Sequence, residues 1–485
     1  MRLLGPLVLI VALAACAPAT PSDRVDWSAD FEQFLDHVAA VYANLEWAVD
    51  ERAIGVHALA EESRTRLATA RSQRAARKIV EDFVRAFDDP HFYVRKGDES
   101  NHGGGESPGP GLDPQIGAGG ALAAMGFKGR DLDFRIDFET FPGFERIRPS
   151  AENPFPWAEF DAGDQRVGLV RIAHFGEDGY PGVAASLWPT FAAELDRPCD
   201  AWCQWSFRER VMGALLGYLA EGARTLRGRG VDAMLIDISG NGGGTDWAAV
   251  APRIFAPPLT ICPPTGVVRH PHHASRLERR VGHVQSLLDE FEISDASRRT
   301  LERARDAVAE QHRQAELPCD RRALFEEADA ELECSQLTFA PGCGLVEYLP
   351  ANALPDVEQR ASIFRALGSN FEEAVWGGPL YVVTDRNTAS ASEQFVALLE
   401  ANDAAILLGE PTMGAGCGFI DGGVPVYLPH VDVTVRMPDC ARYRANGRNE
   451  IDGIEPDVAI EWGGGDKARA RRIHAALVAL AEQQR

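Results

Sequence analysis

Lysine is nearly absent from this chain. The 485 residues include only four lysines, at Lys78, Lys96, Lys128 and Lys467. No lysine therefore lies between residues 129 and 466. Any side chain that accepts a proton in that long stretch must be of another type, and histidine is the natural choice near neutral pH.

Other absences narrow the class of protein. No Cys-x-x-Cys pair occurs, which disfavours a structural zinc site. The Gly-x-Gly-x-x-Gly spacing of a dinucleotide-binding fold and the Lys-Ser/Thr ending of a phosphate loop are also missing. Acidic residues outnumber basic ones by 72 to 49, giving a net charge of −23. Such a chain is a poor candidate for binding nucleic acid or an anionic membrane surface, and we expect no cofactor.

The N-terminus has the pattern of an export signal. Arg2 is followed by an apolar run over residues 3–15 that is too short to span a bilayer comfortably. The run ends in Leu13-Ala14-Ala15-Cys16, which resembles the bacterial lipobox. That resemblance implies a signal peptide over residues 1–15, a lipid on Cys16 and a tether over 16–26. We therefore expect a lipid-anchored protein of the bacterial cell envelope that faces the periplasm; an ordinary secretory signal is the alternative.

Eight cysteines remain when Cys16 is set aside, and an even number in an exported chain suggests disulfides. Cys199 and Cys203 form a plausible local pair. Cys417 and Cys440 are placed to join neighbouring strands. The remaining pairings stay open.

Hydrophobic periodicity divides the chain into regions. Residues 27–89 have helical spacing, which predicts a small helical N-terminal domain over 27–97. Residues 98–165 form a Gly/Pro-rich linker and an irregular segment, which leaves room for a short strand pair but shows no motif of a PDZ-type peptide-binding domain. Strands alternate with helices over 166–466, which predicts an α/β core. A charged, cysteine-containing helical insertion occupies about 262–345, and residues 467–485 predict a C-terminal helix.

Two segments of the predicted core could do chemistry. Thr388-Ala389-Ser390-Ala391-Ser392-Glu393 lies between an apolar strand and a helix. A serine at such a turn presents its hydroxyl at the positive end of the helix, although a simple capping serine is the alternative. The second segment, Gly240-Asn241-Gly242-Gly243-Gly244, directly follows another strand. Glycines there let backbone amides approach a ligand, and two converging amides make an oxyanion hole.

Four segments in order resemble one enzyme family. They are Asp237-x-x-x-Asn241-x-Gly243-Gly244, the Ser390 segment, Gly409-Glu410-Pro411-Thr412, and Gly453-Ile454-Glu455-Pro456-Asp457. Together they resemble the carboxy-terminal processing (tail-specific) serine peptidases. The resemblance implies a crotonase-like (ClpP-like) α/β spiral core and hydrolysis of peptide or protein substrates through an acyl-enzyme. It also implies that Ser390 is the nucleophile and that Gly243 and the amide of Ala391 form the oxyanion hole, with Gly244 the less favoured donor.

One departure from the family concerns the base. Bacterial members pair the serine with a lysine in a Gly-Lys-Gly segment, whereas this chain has Gly414-Ala415-Gly416. The tricorn-like branch of the family uses a serine, a histidine and a glutamate. In this chain, the place of that histidine holds His91 and the place of that glutamate holds Glu450. We therefore predict that Ser390 attacks, His91 is the general base and Glu450 orients His91. The alternative is an inactive family member that binds peptides or apolar ligands in the same cleft.

Other polar residues receive lesser roles. His174 and His430 are reserve bases, and Asp237 is expected to shape its loop. Glu393 and Glu400 are expected to face solvent on the helix after Ser390. A histidine cluster, His270, His272 and His273, could bind a metal ion, but no carboxylate partner is visible nearby in the sequence, and we predict no metal site.

Overall fold

The computed structural model describes residues 27–99 and 111–483, apart from 257, 291, 318, 333, 342–348, 350–353 and 355–371. The predicted signal peptide, Cys16 and the tether lie outside the described residues, as does Cys343. Within these bounds, no helix combines the length and the apolar character needed to cross a bilayer.

Helices and strands alternate through most of the described residues. The α-helices are α1 Trp27–Val41, α2 Leu45–Asp50, α3 Val56–Thr69, α4 Gln73–Arg85, α5 Ala118–Ala124, α6 Pro181–Ala193, α7 Ala201–Arg229, α8 Pro252–Phe255, α9 Pro271–Glu290, α10 Asp295–Ala315, α11 Ala391–Ala401 and α12 Asp466–Gln483. The strands are β1 Tyr93–Lys96, β2 Glu145–Ile147, β3 Trp157–Ala162, β4 Gln165–Arg171, β5 Ala233–Asp237, β6 Pro264–Val268, β7 Leu337–Pro341, β8 Leu380–Thr384, β9 Ile406–Gly409, β10 Val426–Leu428, β11 Val433–Arg436, β12 Cys440–Arg442 and β13 Val458–Ala459.

A seven-stranded mixed sheet forms the centre of the molecule, in the order β13-β9-β8-β5-β4-β3-β2. The strands from β13 to β4 are parallel, and β3 and β2 add to the edge as an antiparallel pair. Every residue of β5 and β8 is buried, as expected for parallel strands covered on both faces. The α/β prediction is confirmed, and the strand pair left open in the irregular segment is found as β2 and β3.

The register of the sheet positions the glycine-rich loop and the Ser390 segment, the two segments that could do chemistry. β5 and β8 are neighbours, with Asp237 opposite Val383. Both strands end at the same edge of the sheet, because parallel strands share their direction. The glycine-rich loop after β5 and the Ser390 turn after β8 therefore lie side by side, at the edge where α/β folds commonly place their sites.

The N-terminal helices share their core with the C-terminal part of the chain. β1 pairs with β11, with Tyr93 opposite Arg436. Phe31 and Phe83 of the helices are buried in one cluster with Leu428 and Val433. The core of this region is therefore shared with β10 and β11. The loop between α4 and β1, which carries His91, lies against these C-terminal segments.

Two predicted disulfides are present. Cys199 is bonded to Cys203 beside the start of α7, where Asp200 caps the helix by accepting the amide of Cys203 at 2.9 Å. Cys417 is bonded to Cys440 at the start of β12. A third bond joins Cys319 and Cys334, in the stretch between α10 and β7. Between residues 262 and 345, α9 packs against α10. β6 pairs with β7 on one side and with β12 on the other, in a separate three-stranded sheet.

Candidate active site

Ser390 lies at the turn between β8 and α11, as predicted. Its backbone has φ 56° and ψ −117°, a conformation that residues other than glycine rarely adopt. The side chain is partly buried at the N-terminus of a helix whose own residues are almost entirely buried. A strained strand-to-helix turn of this kind presents a serine hydroxyl at the positive end of a helix.

A buried carboxylate, that of Glu393, holds this turn. Glu393 is 0% exposed, so the expectation that it faces solvent was wrong. One carboxylate oxygen accepts hydrogen bonds from the backbone amides of Ser390, Ala415 and Gly416, at 2.8, 3.0 and 2.8 Å. The other accepts from Thr412 Oγ1 and the amide of Gly414, both at 2.7 Å. The turn that carries Ser390 and the 412–416 segment are therefore attached to the same side chain.

The ionisation of Glu393 reflects two opposed effects. Burial, with a contribution from the nearby Glu450, raises the pKa of Glu393 above its ordinary value. The hydrogen bonds from Thr412, Gly414 and Gly416 act in the opposite direction, because they favour the charged form. Five donors directed at two oxygens are the arrangement that an ionised carboxylate satisfies best.

His91 reaches the same region from the loop after α4. Its Nδ1 lies 2.8 Å from the carbonyl oxygen of Ala415, which can only accept, so Nδ1 carries a proton and the neutral ring has its lone pair on Nε2. The ring packs edge-on against Phe419, with centroids 5.6 Å apart. Burial lowers the pKa of His91; the carbonyl of Ala415 opposes this shift, and the charge of Arg442 adds to it. The ring is therefore neutral near pH 7 and able to accept a proton.

Asp89 fixes the backbone beside His91. Its carboxylate accepts the amide of His91 at 2.9 Å, and Tyr42 and Asn44 also donate to it. Burial raises the pKa of Asp89 to about 6. The position of the histidine thus depends on a polar network within the N-terminal helical region.

Glu450 has a different partner from the one predicted. It is 1% exposed, and its Oε2 accepts Nε of Arg442 at 2.6 Å. Burial raises the pKa of Glu450, and the pair with Arg442 opposes the shift. No hydrogen bond between Glu450 and His91 occurs among the described residues. The predicted orienting contact is therefore replaced by an ion pair, and the role of holding Nδ1 belongs to the carbonyl of Ala415.

Arg442 connects this ion pair to Ser390. Its Nη2 donates to the carbonyl oxygens of Ser390 and Gly416, at 2.6 and 2.9 Å. Glu450 thus acts on the site through the guanidinium group of Arg442, which fixes two backbone segments at once.

The glycine-rich loop lies directly against Ser390. A Cβ atom placed on Gly243, whose φ is +99°, would lie 2.9 Å from Cβ of Ser390 and 2.9 Å from the amide nitrogen of Ala391. Only glycine fits this approach. The amide of Gly243 donates to Oδ1 of Asn241 at 2.9 Å, whereas the amide of Ala391 donates to no acceptor among the described residues. Gly244 faces the backbone of Phe175 and Gly176.

The reserve bases lie in other contacts. Nε2 of His174 lies 3.4 Å from Oδ1 of Asp178, and Nδ1 of His430 lies 2.6 Å from Oδ1 of Asp30 in α1. Asp237 shapes its loop, as predicted, by accepting both the amide and the hydroxyl of Ser239.

Comparison with known proteins fixes the family. The sequence profile of peptidase family S41 matches residues 205–460, more than half of the chain. The chain belongs to peptidase family S41. The match includes Ser390, Ala415, Arg442 and Glu450, whereas His91 lies outside it. No curated protein matches the sequence.

Solved structures confirm the S41 peptidase fold. Mature CPAF complexed with lactacystin has a TM-score of 0.54 and 13% identity, over 95% of this chain and 98% of that one. A crystal structure of mature CPAF has a TM-score of 0.53 and 13% identity, over 94% of this chain and 96% of that one. At this level of identity the likeness concerns the fold alone, and the roles of individual residues rest on the geometry above.

Sequence reasoning missed two residues of the site. Glu393 follows Ser390 at the Ser-x-x-Glu spacing of a capping box, and that signal was available. Arg442 carried no such signal, because its contacts with Ser390 and Glu450 join segments that are separate in the chain.

We predict that Glu393→Gln lowers the free energy of unfolding by about 2–5 kcal/mol, because an amide nitrogen in place of either oxygen leaves at least two buried donors without an acceptor. Urea unfolding measures the change. Glu461→Gln, at an exposed position, is the matched control. A stability within about 0.5 kcal/mol of wild type, the usual range for a surface substitution, would show that Glu393 does not hold these segments together.

Proposed function

We propose that this chain is a serine-type peptidase in which Ser390 is the nucleophile and His91 the general base. The observation that carries the proposal is the contact between His91 Nδ1 and the carbonyl of Ala415. It leaves Nε2 of a neutral imidazole free to accept a proton, in a chain with no lysine between 129 and 466. Ala415 stands where the tail-specific peptidases carry their lysine, and here its backbone supports a histidine instead.

The reaction would proceed in two steps. The hydroxyl of Ser390 gives its proton to Nε2 of His91 as its oxygen bonds to the carbonyl carbon of a peptide. The C–N bond then breaks, the proton passes from His91 to the leaving amine, and an ester on Ser390 remains. A water molecule then gives a proton to His91 as its oxygen bonds to the ester carbon; the bond from that carbon to Oγ of Ser390 breaks, and His91 returns the proton to Oγ. Since His91 and Ser390 share no hydrogen bond among the described contacts, we expect that bond to form when a substrate enters.

The negative charge on the substrate oxygen would be stabilised by backbone amides. The amide of Ala391, at the N-terminus of α11, is the first donor. Gly243 is the second donor. Its amide, which donates to Oδ1 of Asn241 in this structure, would leave that acceptor and donate to the oxyanion instead. Glu393 and the Arg442–Glu450 pair act as positioning groups, because they hold the backbone of Ser390 and of the 414–416 segment.

Covalent labelling with a fluorophosphonate tests the proposal. We expect the folded wild-type chain to be labelled and Ser390→Ala to be unlabelled, because the probe reacts with an activated serine. His91→Ala should reduce the labelling rate by at least about 100-fold, the usual contribution of a general base. Gly243→Ala should also lose labelling, whereas Gly242→Ala, whose added Cβ contacts nothing within 4 Å, is the matched control.

The contrary outcomes are distinct. No labelling of folded wild type would support the alternative of an inactive relative that binds peptides in the same cleft. If wild type is labelled and His91→Ala is labelled at the same rate, Ser390 keeps its role as the nucleophile, but His91 is not the general base.

Export and lipid attachment are part of the same proposal. The sequence around Cys16 supports them, and so do the disulfides Cys199–Cys203 and Cys417–Cys440, since such bonds persist in oxidising compartments. The substrate would then be a peptide or protein of the cell envelope. We expect a fatty acid fed to expressing bacteria to be incorporated into the wild-type chain and not into Cys16→Ser; equal incorporation in both would exclude this anchor.

A further inference from the structure

Two histidines and an aspartate meet at a point outside the peptidase site. His272 and His273 belong to the first turn of α9, and Asp439 directly precedes β12. The possible ligand atoms of the three side chains all lie within 4.8 Å of one another. The carboxylate that the histidine cluster lacked in the sequence is therefore supplied by a segment far along the chain.

Two of the three side chains are buried with polar atoms that have no hydrogen bond. His273 and Asp439 are both 0% exposed. The two ring nitrogens of His273 and Oδ2 of Asp439 make no hydrogen bond to a described residue. Nε2 of His273 and Oδ2 of Asp439 lie 3.2 Å apart. Buried polar atoms are nearly always satisfied, so this arrangement calls for a further partner.

We propose that His272, His273 and Asp439 bind a divalent metal ion of the zinc type. Two imidazole nitrogens and one carboxylate oxygen are a donor set that zinc uses in proteins, with a fourth position left for water. Ligand atoms about 2.0–2.2 Å from a tetrahedral zinc ion lie about 3.4 Å from one another. The 3.2 Å between His273 and Asp439 matches this geometry, and rotation of the partly buried His272 would bring in the third ligand.

The charge balance of the site depends on Asp439. The N-terminus of a helix such as α9 carries a partial positive charge, which by itself repels a cation. The carboxylate of Asp439 compensates for this charge, while the neutral imidazoles supply lone pairs. His272, on the less buried side, provides the route by which the ion would enter.

The proposed metal site is connected to the loop that packs on His91. The amide of Asp439 donates to the carbonyl of Gly418 at 3.2 Å, and Oδ1 of Asp439 accepts the amide of Ile420 at 2.9 Å. A Cβ placed on Gly418 would lie 3.0 Å from the His91 ring. A metal ion bound to Oδ2 would therefore restrain residues 418–420, which form one wall around His91.

Metal titration of the full chain, purified in detergent without a polyhistidine tag and stripped with a chelator that is then removed, tests the inference. We expect calorimetry with Zn²⁺ alone to show one saturable equivalent, and Co²⁺ to give the visible absorption of a tetrahedral site. His272→Gln should weaken binding by at least about 100-fold, since loss of a supporting residue alone costs 10–100-fold. His312→Gln, on α10, should bind as wild type.

Asp439→Asn should lose binding too, and circular dichroism checks that this buried variant folds. If it does not fold, His272→Gln decides, because that side chain is only partly buried. A folded wild type without a saturable equivalent would mean that His273 and Asp439 form an ion pair only. Binding of Zn²⁺ that is unchanged by His272→Gln would assign the ion to another place. Either result overturns the proposal, and both are independent of peptidase activity.

Discussion

The candidate site depends on the buried carboxylate of Glu393. Four backbone amides and one hydroxyl donate to it, and they come from two separate segments of the chain. One segment carries Ser390 in a backbone conformation that costs free energy unless its surroundings fix it. The other carries Ala415, whose carbonyl holds His91. The same carboxylate thus helps to position both Ser390 and the carbonyl that holds His91.

This arrangement accounts for the alanine that stands in place of the family's lysine. At Ala415 the side chain ends at Cβ and contributes no proton acceptor, yet the carbonyl of the same residue accepts from Nδ1 of His91. The proposed base therefore comes from the N-terminal helical region, outside the stretch that the S41 profile matches. The core shared between those helices and β10–β11 holds the loop on which His91 lies.

Local patterns in the sequence predicted the elements but not the contacts between them. Apolar runs predicted β5 and β8, and glycine and serine at their ends predicted the loops that meet at Gly243 and Ser390. The α/β class and two disulfides followed in the same way. The partner of Glu450 could not be predicted, because a buried carboxylate pairs with whichever cation the fold brings to it, here Arg442. Asp439 was missed beside the histidines for the same reason, since long-range contacts leave no local signal.

The most direct test of the account is the pH dependence of the rate at which a fluorophosphonate labels Ser390. Burial lowers the pKa of His91 below the ordinary value of about 6.5. The neutral base then persists into mildly acidic solution and is lost only as pH falls through that lowered pKa. We predict a rate that is constant around pH 7 and falls with a midpoint below about pH 6.5, while circular dichroism shows the chain still folded. A rate that instead climbs steadily through pH 8 to 10 would contradict a histidine base.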